Sequence, residues 1–176
     1  LIRLSKRYEL DIFIPLNFSN IRHVLTAVSI FSLFIVLFDL KFPFPEEINI
    51  LFPASLLFYP AIAFFVEIVF HLIPILIITE ALKPFQGKIQ KQNILKIALI
   101  IAAVSEPLYH VFQMLNDKYY QTGFVIIIGI HILFINLFQV YLYKRYSFLH
   151  MYLFRFCYYM VWHVVWGILR LEIMFS

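Results

Sequence analysis

The sequence predicts an all-α fold, a polytopic transmembrane helical bundle, and three observations carry that expectation. Of 176 residues, 63% are hydrophobic and only 14% charged, against roughly 45–50% and about 25% in a soluble domain. The apolar residues gather into runs near the ~20 residues that about 30 Å of hydrocarbon requires. Lysine and arginine fall in short segments between those runs, so the net charge of +4 is loop charge and calls for no nucleic-acid partner. No Ser/Gly/Pro-rich linker interrupts the runs, and one domain is expected over 1–176.

Residues 1–22 mix basic and apolar side chains with Pro15, which suits a segment lying at the membrane interface. The first run does not end in a small-residue cleavage site, so no removable signal peptide is expected. A first span is expected at about 23–40, turned by "KFPFPEEIN". The block at about 50–82 is long for one span and holds Pro53, Pro60 and Pro74; it reads as a short lead-in and then one bent helix. After the polar loop "KPFQGKIQKQN", further spans are expected at about 94–114 and 122–143. A fifth, strongly aromatic one follows at 148–174. Five spans place Arg3, Lys6, Arg7, Arg22, the Lys83–Lys96 cluster and Lys144-Arg145 on one side, with Glu46, Glu47 and Asp117 opposite. The excess of basic residues marks the cytoplasmic side, hence a multi-pass protein of the cell membrane with its amino-terminal end inside and membrane lipids around it. The single Cys157 excludes an internal disulfide and a cysteine-cluster metal site.

Ionisable residues at mid-bilayer are costly, about 2.5–3.5 kcal/mol each on insertion scales, and normally face the bundle interior. Glu67 and His71 stand four apart in "FVEIVFHLIP", and Glu106 and His110 repeat that spacing in "SEPLYH". Four residues is one helical turn, so each pair shares a face. With His163 of the last run, these residues make a set of two carboxylates and three imidazoles. Histidines and carboxylates around an open position suit a hydrolytic zinc site, with a glutamate taking the proton of the attacking water. His131 and Asn136 read instead as interhelical hydrogen-bond glue; His23 and His150, close to span ends, read as interfacial. Tyr159, one turn before His163, either orients that imidazole or packs.

In order and spacing these motifs resemble the CPBP family of intramembrane metalloproteases, which includes the CAAX prenyl-endopeptidases and bacteriocin-processing proteins. The family pattern is Glu-Glu-x-x-x-Arg, then Phe-x-x-x-His, then His-x-x-x-Asn. Here "VEIVFH" keeps Glu67 and Phe70 but has Val66 and His71 at the other positions; "EPLYH" keeps His110 with Glu106 for Phe; "HVVWG" keeps His163 with Gly167 for Asn. The resemblance covers about 50–174. It implies an intramembrane metal-dependent peptidase acting on membrane-embedded or prenylated peptides. His110, His163 and Glu106 would bind a divalent metal, in the first instance zinc; Glu67 or Glu106 would act as base, and His71 would orient the site or polarise the scissile carbonyl. Because the family's basic glutamate falls on Val66 and its asparagine on Gly167, with Arg155, Tyr159 or Asn136 left to compensate, a non-catalytic scaffold or regulator is the alternative expectation.

Overall fold

The computed structural model describes residues 8, 10–16 and 18–176. Among them every regular element is a helix, with no strand. Helix α1 spans Phe18–Lys41; α2 (Ser55–Val66), a π-helical segment (Glu67–Leu72) and α3 (Ile73–Ala81) follow in one run; α4 is Lys91–Asn116 and α5 Thr122–Arg145; α6 (Phe148–Tyr159), a second π-helical segment (Met160–Val165) and α7 (Trp166–Met174) complete the chain. Four helices, Phe18–Lys41, Ser55–Ala81, Lys91–Asn116 and Thr122–Arg145, are long and apolar enough to cross a membrane. The expected fifth run is helical from 148 to 174 but more polar, with Arg155, His163, Arg170 and Glu172. Large apolar side chains are exposed on each of the four, among them Leu33, Leu57, Ile77, Ile100 and Phe134, a coating that water disfavours and lipid accepts.

The interfacial segment expected over 1–22 falls partly outside the described residues. Within it, the carbonyls of Asp11 and Ile12 accept the first amides of α6, from Phe148 and Leu149, groups that a helix cannot satisfy by itself. From Phe18 onward the segment already belongs to α1.

The chain forms two compact units, one of residues 1–14 and 66–151, the other of residues 15–65 and 152–176. In the first, α4 buries Ile94, Ala98, Ala102 and Glu106 along one row and Leu95, Leu99, Ala103 and Pro107 along the next, both at a spacing of four. Small residues let α5 approach closely: a Cβ on Gly129 would stand 2.5 Å from the Val111 Cγ2 atom. The prolines are compensated from neighbouring positions. Pro74 has no N–H to offer the Phe70 carbonyl, which lies 3.1 Å from Ser105 Oγ, a donor it shares with the Ala102 carbonyl at 2.8 Å. Pro107 likewise leaves Ala103, whose carbonyl accepts from Asn136 Nδ2 at 3.3 Å. In hydrocarbon such replacement is what makes a helix-interior proline tolerable.

The second unit is centred on a buried ion pair. Arg170 Nε lies 2.8 Å from Asp39 Oδ2, both side chains being wholly buried. Trp166 Nε1 donates to Oδ2 at 2.7 Å, the Phe44 amide to Oδ1 at 2.8 Å, and Arg170 also donates to the carbonyls of Phe44 and Pro45.

Candidate functional site

Glu67 and His71 both lie in the first π-helical segment. They are fully buried, with His71 Nδ1 2.9 Å from Glu67 Oε2, close enough for charge interaction but off the line of a hydrogen bond. Neither imidazole nitrogen of His71 has a hydrogen-bond partner among the described residues. The other carboxylate oxygen of Glu67 accepts from the Gln139 amide of α5. Gln139, wholly buried, was not anticipated from sequence, although it follows Asn136 by one turn and so extends the same polar face.

Glu106 and His110 form a second pair on α4. Glu106 is buried and His110 is 43% exposed at its side chain, and Nε2 stands 3.8 Å from Oε1. That gap is long for a hydrogen bond. Bond lengths of about 2.0–2.2 Å to a tetrahedral zinc put two ligand atoms roughly 3.4 Å apart, so the two side chains fit a shared ion with a small adjustment. Among the described residues the two pairs remain pairs: no group of three His, Cys, Asp or Glu side chains is assembled.

His163 lies in the second unit, also in a π-helical segment. Its Nδ1 is 2.7 Å from Asn49 Oδ1. An amide oxygen only accepts, so Nδ1 carries the proton and Nε2 is the basic nitrogen, the tautomer found in imidazoles that ligate through Nε2. Tyr59 stacks on the ring with centroids 4.4 Å apart, and Tyr159 meets it edge-on at 4.9 Å. The Tyr59 hydroxyl accepts the Ile50 amide at 2.9 Å, which fixes the stacking ring against the segment that carries Asn49. Asn49, too, was missed by the sequence reading. Gly167 leaves room for Asn49: a Cβ there would stand 3.2 Å from Asn49 Nδ2. An amide thus reaches the turn after His163 from a different element. Arg155, expected nearby, donates to the Tyr159 hydroxyl at 3.2 Å.

The remaining histidines divide as chemistry dictates. His131 and Asn136 are buried in α5, and Asn136 has the structural duty already described. His150 is wholly buried, with Nδ1 2.9 Å from Ser147 Oγ; His23 meets its own helix at the Ser19 carbonyl.

No family model matches the chain, and neither a curated protein nor a solved structure matches it.

Proposed function

We propose that the chain is an intramembrane metal-dependent peptidase of the CPBP type, acting on membrane-embedded or lipid-modified peptides, in the cell membrane with its amino-terminal end cytoplasmic. The observation that carries this reading is the Glu106–His110 pair, two metal-competent side chains at ligand spacing on one helix, the histidine accessible. The order of motif remnants and the tautomer of His163 add to it. So does the coincidence of both π-helical segments with Glu67, His71 and His163, since π-helix is rare and concentrates at functional sites.

In this reading Glu106 and His110 hold the ion, and zinc suits a donor set of imidazole and carboxylate. Such an ion supplies Lewis acidity to a scissile carbonyl and acidifies water. Glu67, or Glu106 where it does not ligate, takes the proton from water and passes it to the leaving amine. His71 holds the Glu67 carboxylate in place, and Asn49 keeps His163 Nε2 basic.

Two measurements on the purified full chain test this: bound metal by elemental analysis, and cleavage of prenylated and membrane-peptide substrates. About one equivalent of zinc is expected, lost in His110→Ala, with turnover reduced on the order of 10²-fold or more in Glu106→Gln and Glu67→Gln. A chain free of metal and inert on both substrates overturns the proposal. One observation favours a second reading, that of a non-catalytic membrane scaffold or regulator: the Glu67 carboxylate is fully buried, with one oxygen hydrogen-bonded by Gln139 and the other beside His71, a setting in which a carboxylate can serve to join helices.

A further inference from the structure

At one end of the first unit a cavity of about 600 Å³ opens between the start of α4 and the end of α5. Its lining includes Lys91 and Lys96 from the first turns of α4, Lys144 from the last turn of α5, and the polar groups of Gln90, Gln92 and Tyr8. Because α4 and α5 are joined by the short segment 117–121, they run antiparallel, and these two termini share one end of the unit. Among the described residues no carboxylate pairs with any of the three lysines. Three like charges around one cavity repel each other at every pH where lysine is protonated, and an anion relieves that repulsion.

Two further features point the same way. No side chain caps the start of α4; the amides of Asn93 and Ile94 bond the Gln90 carbonyl, which leaves the amides of Lys91 and Gln92, with the positive end of the dipole, for an anion at that end. Tyr8 is buried and held in place: its hydroxyl donates to the Thr79 carbonyl at 3.4 Å and accepts from Gln86 Nε2 at 3.1 Å, and Lys91 Nζ lies 5.5 Å from its ring centroid. The floor is thus partly apolar, with Leu10 and Leu95 beside the Tyr8 ring. The volume is that of a site for a molecule with many heavy atoms, far more than a lone phosphate fills.

We propose that this cavity binds the phosphate headgroup of an anionic phospholipid, from the leaflet at the lysine-bearing end of α4 and α5. Lys91, Lys96 and Lys144 contact the phosphate oxygens, the amides at the start of α4 donate to them, and the glycerol and upper acyl carbons lie on Leu10 and Leu95. The site is independent of the peptidase reading, because it uses none of the residues that reading needs. Each lysine near an anionic headgroup strengthens binding about fivefold, so the three together give a preference on the order of a hundredfold over a zwitterionic lipid.

The test uses the purified full chain in neutral detergent, with retained lipid counted by native mass spectrometry after exchange against phosphatidylglycerol or phosphatidylcholine of matched acyl chains. The site variant is Lys91→Gln/Lys96→Gln/Lys144→Gln. A control, Lys83→Gln/Lys88→Gln/Lys118→Gln, removes equal charge outside the cavity. Wild type and control are expected to retain phosphatidylglycerol on the order of a hundredfold better than phosphatidylcholine, and the site variant to lose that preference. Lys96→Gln alone, the milder change, is expected to weaken retention about fivefold. Equal retention of the two lipids by wild type, or equal loss in the control and the site variant, overturns the proposal. Saturable binding of inorganic phosphate with no preference for phosphatidylglycerol overturns the lipid assignment.

Discussion

Asp39 and Arg170 are inconspicuous in the sequence and wholly buried in the fold. They are separated by 131 positions, and neither belongs to a periodic pattern, so nothing local announces the pair; only the folded chain does. Arg170→Met leaves the Asp39 carboxylate buried with two of its donors and no counter-charge. Removing one partner of such a pair costs about 3–5 kcal/mol, and the same loss is expected in the unfolding free energy measured by denaturant titration in detergent. Asp39→Asn combined with Arg170→Met is expected to cost clearly less than the two single changes added together, because the stranded charge is gone. Additive costs would mean that the ion pair contributes nothing as a pair. Gln139 and Asn49 were hidden for the same reason. Each acts on a site residue across a long stretch of chain, whereas the Glu67–His71 and Glu106–His110 pairs lie one turn apart and were legible at once.

Helices were more legible than contacts, because a bilayer imposes a length and a composition on each span. The runs expected at 122–143 and 148–174 match the observed helices to within two residues, and the bent helix expected within 50–82 is Ser55–Ala81. Its π-helical stretch is a finer matter: proline marked the neighbourhood, but the donor to the Phe70 carbonyl, like the donor to the Ala103 carbonyl freed by Pro107 on α4, is a side chain, Ser105 or Asn136, whose position only packing determines. Close approach of α4 and α5 rests on one glycine. A methyl at position 129 would meet Val111, a stiff β-branched side chain, at 2.5 Å, whereas Gly123 on the same helix has nothing within 4 Å. Gly129→Ala is therefore expected to destabilise by about 1–3 kcal/mol through overpacking. Gly123→Ala should be neutral or slightly stabilising through helix propensity. Comparison of the two variants by thermal unfolding in detergent checks this, and equal effects would remove the close approach as a determinant of the fold.

At the scale of the molecule the distribution of charge sets the arrangement in the membrane. Four helices have the length and apolarity to cross, while the last run carries Arg155, His163, Arg170 and Glu172 and crosses only if protein covers those groups. Arg155 and Arg170 are buried, at 2% and 0% exposure, and a charge sheltered by protein does not meet hydrocarbon, whereas His163 is only partly covered and Glu172, near the end of the run, is exposed. In the proposed orientation basic loops stay cytoplasmic: Lys88 lies in a basic segment, whereas Glu47 and Asp117 lie in segments without an excess of positive charge. Single cysteines introduced at these positions in a Cys157→Ser background report it directly. In intact cells a membrane-impermeant maleimide is expected to label positions 117 and 47 and to reach position 88 only after permeabilisation. Labelling of 88 in intact cells would invert the orientation. Labelling of 117 together with 88 would mean that α4 does not cross, and the Glu106–His110 pair on that helix would then lie outside the bilayer, where a carboxylate and an imidazole need no special explanation.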